Sequence, residues 1–334
     1  MQYATLGTSG VEVSRVALGT ATFGLSPRDE DVAALVGLAR DLGVTYFDTA
    51  NSYGNQPGYA WPGVPEWRDR VSAEELLGRA LRGAGDEVVV ASKVGEPIGE
   101  SRPTSEWRGL LTREHVEEQV GISLQRLGRT RIDIYYAHLP DPVTPIEETV
   151  SVFSDLVDRG DIGSWGISNY TAEQTAEVVA RAAALGVHPP IVHQARYNLA
   201  NREVERDLVP VLERAGIGLA AYSPLGMGLL AGRAAAERNW SGHARWGGGG
   251  FSADEIEAAG RFEAAAASIG LAASQAAIVW LLGRPAVTTV VVGATSEKHL
   301  RSACGSANYQ LDECALAVLG AVDIAQERAD SSAV

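Results

Sequence analysis

The segment Tyr46-Phe47-Asp48-Thr49-Ala50-Asn51-Ser52-Tyr53-Gly54 gives the clearest indication of the architecture of this chain. A short apolar run ends there in a carboxylate, Asp48, and Tyr53 follows just beyond it. Two later apolar runs end in a similar way, one in Lys93 and one in His138. An acid, an amine and an imidazole thus stand at or near the ends of three successive predicted strands. If these strands are parallel neighbours, the three groups converge with Tyr53 in one pocket.

Around this stretch the sequence repeats one unit, an apolar strand followed by a helix with one apolar face. The predicted strands cover residues 16–20, 44–48, 87–93, 132–138, 163–168, 191–195, 217–222 and 287–292. The predicted helices cover residues 32–42, 73–81, 113–127, 146–157, 172–185, 204–212, 256–267, 274–282, 296–303 and 311–327. Eight strand–helix units with short connections are typical of a closed parallel barrel. The sequence therefore predicts an α/β fold, a (β/α)8 TIM barrel with an N-terminal β-hairpin over residues 3–13 and an extra C-terminal helix.

An open, doubly wound sheet is the alternative fold for such an alternation. Its usual signature is a G-x-G-x-x-G turn directly after the first strand. The segment Gly19-Thr20-Ala21-Thr22-Phe23-Gly24 lacks that spacing, and the glycines of residues 226–232 come far from the amino terminus. The barrel is therefore the predicted fold. Because no linker divides the sequence, residues 1–334 are predicted to form a single domain.

The composition argues against several classes of function. Lys and Arg number 28 against 42 Asp and Glu, which gives a net charge of −14 and disfavours general binding to nucleic acid or to an anionic membrane. Cys304 and Cys314 are the only cysteines, so neither a disulfide framework nor a metal site is predicted. The amino terminus has no export signal and no apolar run reaches the length that spans a membrane. A cytoplasmic protein is expected.

The four converging residues suit one kind of chemistry. A phenol has an ordinary pKa of about 10, and a nearby ammonium lowers it by stabilising the phenolate. Lys93 would supply that ammonium to Tyr53, and Asp48 would keep the ammonium charged and aimed. A neutral His138 would hold a substrate oxygen by one ring nitrogen. Taken singly, a strand-end Asp is more often a turn former and a Lys a solvated charge, but their joint placement favours proton donation to a carbonyl during hydride transfer.

The motifs around these residues resemble those of aldo-keto reductases over nearly the whole chain. The matching segments are Phe47-Asp48-Thr49-Ala50 with Tyr53-Gly54, Ser92-Lys93, Ala137-His138, Gly166-Ile167-Ser168-Asn169-Tyr170, Gln194 with Tyr197-Asn198, and Tyr222-Ser223-Pro224-Leu225-Gly226. The resemblance implies a nicotinamide-dependent oxidoreductase in which Tyr53 is the acid–base residue. Lys93 and Asp48 would tune it, and His138 would orient the carbonyl.

The resemblance also implies a set of cofactor-binding residues along the later strand ends. The predicted set is Ser168, Asn169, Gln194 and Tyr222 for the nicotinamide, Ser223, Leu225, Gly228 and Arg233 for the pyrophosphate, and Gly293, Ser296 and Lys298 for the adenosine end. Hydroxyl and amide side chains can hydrogen-bond a carboxamide, and a tyrosine ring offers a stacking surface. The plainer interpretations are a helix-capping turn at Ser168-Asn169 and loop glycines at positions 226 and 228.

The adenosine end departs from the family pattern. Arginines that grip a 2′-phosphate are common in this family soon after the eighth strand, where this chain has Thr295 and His299. Ser296, a helix amino terminus and Lys298 could still bind a phosphate. NADP as NADPH is therefore the favoured cofactor, and NAD remains an open alternative because a bidentate arginine is missing.

Two aromatic loops are expected to set the substrate. Residues 54–70 carry Trp61 and Trp67, and residues 239–251 carry Trp246. Aromatic loops over a barrel mouth suggest stacking surfaces for apolar groups or sugar rings, although the tryptophans could equally pack the loops onto themselves. Arg102 and Arg245 are candidates for an anionic group. Glu96, close to Lys93, is interpreted as a loop cap.

Three functions are compatible with these residues. The first is a reductase of a small-molecule carbonyl compound, an aldehyde, ketone or sugar. The second is a cofactor-sensing binding module that resembles potassium-channel beta subunits, and the third is a deoxysugar or nucleotide-sugar reductase of a biosynthetic pathway. The sequence leaves the substrate, the direction of reaction and the oligomeric state open.

Overall fold

The computed structural model describes residues 1–57, 65–85, 87–99, 106–240 and 250–324. Two short antiparallel strands come first, β1 (Tyr3–Thr5) and β2 (Glu12–Ser14). Eight parallel strands then close into a barrel. They are β3 (Val16–Gly19), β4 (Tyr46–Asp48), β5 (Val89–Val94), β6 (Ile132–Ala137), β7 (Ile162–Ser168), β8 (Val192–Arg196), β9 (Gly218–Tyr222) and β10 (Val287–Val292). The predicted TIM barrel and its N-terminal hairpin are confirmed.

Helices follow the strands and surround the barrel. They are α1 (Asp29–Asp41), α2 (Ala73–Ala80), α3 (Arg113–Leu127), α4 (Ile146–Arg159), α5 (Ala172–Leu185), α6 (Leu208–Ala215), α7 (Arg233–Trp240), α8 (Ala253–Ser268), α9 (Ala273–Leu282), α10 (Glu297–Ser306) and α11 (Glu313–Gly320). Their ends follow local chemistry. Thr171 caps α5 in a reciprocal pair with Gln174, and the helix ends at Gly186 in the left-handed conformation.

Two helix predictions were clearly wrong in extent. The helix predicted over residues 204–212 is a 3-10 turn (Glu203–Glu205) followed by α6, because Pro210 lacks an N–H and fits only the first turn of a helix. The last helix, predicted over residues 311–327, ends at Gly320, a poor helix former. The sequence also gave no signal for the 3-10 turn Gly226–Ala231 or for α7.

Strand alternation decides which polar groups enter the barrel. On β4, Tyr46 belongs to the core inside the barrel while Phe47 packs outward against the helices. The next residue, Asp48, therefore points inward again, because side chains alternate along a strand. The same alternation directs Lys93 inward after Ala91 and His138 inward after Tyr136. The barrel thus gathers these side chains at the carboxyl ends of its strands.

The β1–β2 hairpin closes the opposite end of the barrel. Leu6 and Val13 are fully buried and pack in the same cluster as the interior residues Tyr46, Tyr136 and Ala220. Thr8 also donates its backbone N–H to the carbonyl of Gly216, just before β9 begins. The hairpin is therefore a plug of the amino-terminal face, and the candidate site lies at the other face.

Helices α8 and α9 are both rich in apolar residues, which raises the question whether either has the features of a membrane span. No single helix in the described ranges has both the length and the apolar composition of a membrane span, and only α8 and α9 taken together meet the test, with a bend of 77° between them. Burial accounts for the apolar surface of α9, since Ile278, Trp280 and Leu281 are nearly inaccessible.

The close contact between the plug and the barrel can be tested with two glycines. Gly7 and Gly10 both have positive φ, at 54° and 80°. A Cβ at Gly7 would lie 2.0 Å from the carbonyl oxygen of Gly216, whereas a Cβ at Gly10 would meet nothing within 4 Å. Both alanine variants incur backbone strain, but Gly7→Ala also forces the plug away from the barrel.

We expect Gly7→Ala to lower the free energy of unfolding by about 2 kcal/mol more than Gly10→Ala, as measured by urea denaturation. Equal losses in the two variants would show that the plug does not make this close approach.

Candidate active site

A buried ammonium occupies the centre of the site. Lys93 Nζ donates to Asp48 Oδ1 at 2.6 Å and to the carbonyl oxygen of Thr49 at 2.9 Å. It also lies 3.4 Å from the hydroxyl oxygen of Tyr53. The Lys93 side chain is fully buried, and Asp48 is nearly so. The structure therefore brings together the acid, the amine and the phenol that the sequence predicted would converge.

Backbone pairing explains why these three groups meet. Strands β4 and β5 are parallel neighbours, with Asp48 opposite Ala91. Beyond β4 the chain stays bonded to β5, because the N–H of Asn51 donates to the carbonyl of Lys93. The carbonyl of Tyr53 then accepts from the N–H of Ala73, the first residue of α2. These bonds fix the backbone of Tyr53 over Lys93.

Gly54 permits the turn that presents Tyr53. Its φ is 91°, a conformation that side chains disfavour. A Cβ at this position would also lie 2.8 Å from the backbone nitrogen of Ala73. Glycine is therefore required where the chain passes the amino terminus of α2.

A second layer of hydrogen bonds supports the carboxylate. Gln194, at 3% exposure, donates from Nε2 to Asp48 Oδ2 at 2.7 Å. Below it, the hydroxyl oxygens of Tyr46 and Tyr136 lie 2.6 Å apart. Burial raises the pKa of both tyrosines well above the ordinary value, with a further contribution from the charge of Asp48. Both phenols therefore remain neutral and form the floor of the site.

His138 stands beside Tyr53 as an uncharged imidazole. The two ring centroids are 5.8 Å apart in an edge-to-face arrangement. Burial, and secondarily the positive charge of Lys93, lowers the pKa of His138 well below its ordinary value. Among the described residues, Nδ1 of His138 has no hydrogen-bond partner, and Nε2 lies 3.5 Å from Glu96 Oε1. The side chain can therefore donate an N–H without carrying a charge.

Glu96 is a carboxyl of the site whose position the sequence did not reveal. It was interpreted as a loop cap, but the structure shows it 2% exposed beside His138. Its Oε2 accepts from Ser52 Oγ at 2.6 Å and from Gln56 Nε2 at 3.4 Å. Burial raises the pKa of Glu96 to about 7, against the smaller lowering effects of Ser52, Lys93 and Gln56. Its only sequence signal was its place three residues after Lys93.

The predicted nicotinamide-binding residues lie next to His138. Asn169 has a left-handed backbone, with φ of 63°, and donates from Nδ2 to the carbonyl of His138 and to Ser168 Oγ, both at 3.0 Å. The hydroxyl of Tyr222 donates to Asn169 Oδ1 at 2.7 Å. Burial raises the pKa of Tyr222 to about 12. The ends of β7 and β9 are thus tied together beside the catalytic candidates.

The segment predicted to meet a pyrophosphate is a tight turn after β9. Ser223 and Met227 have left-handed φ values of 52° and 59°, and Gly228 has φ of 108°. The N–H of Gly228 donates to the carbonyl of Leu225 at 2.9 Å, and that of Gly226 to the carbonyl of Ser223 at 3.0 Å. These two amides are therefore used inside the turn.

Arg233 follows this turn at the amino terminus of α7. Its guanidinium lies 2.9 Å from Glu257 Oε1 and 3.8 Å from Glu237 Oε1, and its side chain is 43% exposed. Its positive charge is thus shared with two surface carboxylates. Any role with a pyrophosphate would require it to exchange these partners.

The predicted adenosine-end residues surround the amino terminus of α10. Gly293 and Lys298 are exposed, and Ser296 caps the helix by accepting from the N–H of His299. Thr295 Oγ1 lies 3.2 Å from His299 Nδ1. The region offers a helix amino terminus of ten residues and one adjacent lysine to an anion.

Of the predicted substrate residues, the structure describes Trp67. It begins the 3-10 turn Trp67–Asp69, is half-buried, and has the guanidinium of Arg68 4.1 Å above its ring. A Cβ at Gly99 would lie 2.5 Å from the Trp67 ring, so this ring packs onto the neighbouring loop. Trp61, Trp246, Arg102 and Arg245 lie outside the described residues.

Comparisons with known proteins give one matching family and several relatives. The sequence profile of the Aldo/keto reductase family matches residues 15–324. A probable voltage-gated potassium channel subunit beta of Oryza sativa subsp. japonica is 33% identical over 315 residues, 90% of this chain and 89% of that protein. The L-glyceraldehyde 3-phosphate reductase of Escherichia coli K12 is 35% identical over 243 residues, 70% of this chain and 64% of that protein. An uncharacterized oxidoreductase of Bacillus subtilis 168 is 29% identical over 331 residues, 96% of this chain and 95% of that protein.

The burial of Glu96 predicts a pH-dependent stability. Its pKa is about 7 in the folded chain against an ordinary 4.5, so the folded state holds the proton more tightly than the unfolded state. Stability is therefore lost as the pH rises from the ordinary pKa towards and past the folded one. The expected loss is about 3 kcal/mol once Glu96 is fully ionised.

Glu96→Gln removes this cost. We expect its free energy of unfolding, relative to the parent protein, to rise by about 2 kcal/mol between pH 5 and pH 8 in urea titrations. Glu177→Gln on the exposed face of α5 makes the same charge change and should show a constant difference. A pH-independent difference for Glu96→Gln would show that this carboxyl is not buried.

Proposed function

The chain belongs to the Aldo/keto reductase family and is an NAD(P)H-dependent oxidoreductase, and we propose that it reduces an aldehyde, ketone or sugar carbonyl with Tyr53 as general acid. The observation that carries this proposal is the fully buried Lys93 ammonium, 2.6 Å from Asp48 Oδ1 and 3.4 Å from the Tyr53 hydroxyl. A nicotinamide held beside these residues would supply the hydride. The four residues Asp48, Tyr53, Lys93 and His138 deliver the proton to the carbonyl oxygen and hold that oxygen in position.

In this proposal Tyr53 gives its proton to the carbonyl oxygen. The phenolate that remains is stabilised by the charge of Lys93, and Asp48 holds the Lys93 ammonium in position through its 2.6 Å hydrogen bond. The neutral His138 donates its N–H to the same carbonyl oxygen, which fixes the orientation of the substrate. A charged imidazole is not needed, which agrees with the lowered pKa of His138.

The chemistry of the neighbouring side chains fits a nicotinamide cofactor. Ser168 Oγ accepts from Asn169 and keeps its own O–H to donate to a carboxamide oxygen. Tyr222 is held by its hydrogen bond to Asn169, so its ring is fixed as a stacking surface. We propose that Ser168, Asn169, Gln194 and Tyr222 hold the nicotinamide end. The turn from Ser223 through Leu225 to Gly228, together with Arg233, would hold the pyrophosphate, and Gly293, Ser296 and Lys298 the adenosine end.

A second candidate function comes from the relatives. The Oryza sativa relative is named as a probable potassium channel subunit, so a role as a binding module is the alternative. The arrangement of Asp48, Lys93, Tyr53 and His138 is compatible with both functions, so turnover has to be measured. A binding module would bind the cofactor without steady oxidation of it by carbonyl compounds.

Tyr53→Phe tests the proton-donor role. It removes one oxygen atom and leaves the ring, so the purified variant should still quench its tryptophan fluorescence on binding NADPH. The rate of carbonyl reduction, followed by the loss of cofactor absorbance, should fall by about 100-fold or more, because a positioned general acid contributes that much. A variant that retains the parental rate would exclude Tyr53 as the acid.

The cofactor preference is tested with Lys298→Ala. We propose NADPH as the cofactor, with NADH as the alternative, and Lys298 as a contact of the 2′-phosphate. Fluorescence titrations should then show about 3- to 10-fold weaker binding of NADPH by the variant, because one exposed charge-assisted contact is lost. Binding of NADH should be unchanged. Equal weakening for both cofactors would place Lys298 away from the 2′-phosphate.

A further inference from the structure

Glu96 is a buried carboxylate that the proton transfer does not use. Its two oxygens have different surroundings. Oε2 accepts from Ser52 Oγ and from Gln56 Nε2, whereas Oε1 has no hydrogen-bond partner among the described residues. Oε1 lies 3.5 Å from His138 Nε2, longer than an ordinary hydrogen bond. One acceptor of this carboxylate is therefore buried beside the substrate-orienting imidazole and lacks a donor.

The imidazole has one N–H for two acceptors. Because Nδ1 of His138 has no partner in the described part of the chain, the proton is best placed on Nε2, which faces Glu96. The same N–H is needed by the carbonyl oxygen of the substrate. A plain carbonyl compound that takes this N–H leaves Oε1 of Glu96 buried without any donor, which is costly for a charged oxygen.

A substrate with its own donor removes this conflict. A hydroxyl on the carbon next to the carbonyl would lie beside the carbonyl oxygen, and Glu96 Oε1 is 3.5 Å from His138 Nε2. It could then donate to Oε1 while the carbonyl accepts from His138. Above its pKa of about 7, Glu96 is a carboxylate that accepts hydrogen bonds and cannot donate one, so an ether oxygen at the same place meets a second acceptor and is rejected.

We propose that Glu96, held by Ser52 and Gln56, is a specificity determinant that selects α-hydroxy aldehydes and α-hydroxy ketones by accepting a hydrogen bond from their hydroxyl group. The inference rests on the proposed carbonyl reductase activity and names its substrate class. It also explains why a carboxyl remains buried at a site where an amide of the same shape would cost less stability.

Two replacements change the hydrogen-bonding character of this site in different ways. In Glu96→Gln, Ser52 and Gln56 both donate, so they retain the amide oxygen on their side and the NH2 group faces His138. The acceptor in the pocket thus becomes a donor, which suits an ether oxygen as well as a hydroxyl. Glu96→Leu has a similar length and removes both properties. Glu177→Gln on α5 is the control for the change of charge.

The experiment measures kcat/KM for hydroxyacetone, methoxyacetone and butanone with the full chain and the preferred cofactor, at about pH 8.5, where Glu96 with its pKa of about 7 is mostly ionised. The parent protein should prefer hydroxyacetone over both other ketones by about 10-fold or more. Glu96→Gln should reduce the ratio of hydroxyacetone to methoxyacetone by about 10-fold, and Glu96→Leu should reduce the ratio of hydroxyacetone to butanone similarly. Ratios within one protein cancel any general loss of folded enzyme, and Glu177→Gln should leave both ratios unchanged.

The outcomes separate the two proposals. If the parent protein reduces ketones but the Glu96 variants keep its ratios, or lose activity on every ketone equally, Glu96 is not a specificity determinant and this inference is wrong. If the parent protein binds cofactor but reduces no carbonyl compound, the proposed function itself fails, and the inference about Glu96 fails with it.

Discussion

The ion pair between Lys93 and Asp48 is the interaction on which the site depends. Removing two charges from water costs several kcal/mol per ion, and the cost is offset only when geometry is good and the remaining hydrogen bonds are made. Here the ammonium has the carboxylate, the Thr49 carbonyl and the Tyr53 hydroxyl, while Gln194 satisfies the other carboxylate oxygen. The pair thus links β4, β5 and β8 at one level of the barrel. A displacement of any of these strands would leave a buried charge without its partner.

The barrel separates stability from chemistry along its axis. At the amino-terminal face, Leu6 and Val13 of the hairpin pack against apolar interior residues. Farther along, the neutral tyrosine pair Tyr46–Tyr136 forms the transition from apolar to polar interior. The charged side chains Asp48 and Lys93 lie beyond this layer, at the strand carboxyl ends. The inward-facing residues thus change from apolar to charged along the barrel axis. The same strands therefore form the core at one end and the site at the other.

Strand order and site convergence could be predicted because both follow from local sequence periodicity. Asp48, Lys93 and His138 are recognisable in the sequence as polar residues that end apolar runs. In a closed parallel barrel the carboxyl ends of all strands lie at the same face, so these residues must lie there together. Helices α3 and α5 were predicted to the residue, since Thr112 and Thr171 cap them and glycines end them. These features need no knowledge of distant contacts.

The remaining features depend on contacts between distant segments. Glu96 contacts Ser52 and Gln56 on another loop and His138 at the end of another strand. No local sequence pattern predicts these contacts. The nearer of the two carboxylates that pair with Arg233, Glu257, comes from α8, so this ion pair could not be predicted from the segment around Arg233. The turn before α7 needs Met227 with positive φ, which residue type does not predict.

The hairpin at the amino-terminal face limits how small molecules can enter the barrel. Since Leu6 and Val13 close that end and the described interior is filled below Asp48, the barrel is a chamber with one open end. Cofactor, substrate, solvent and exchanging protons must all use that opening. An occupant that lies deeper in the chamber can enter or leave only while the space above it is clear, so closure of one end makes the other the single route of exchange.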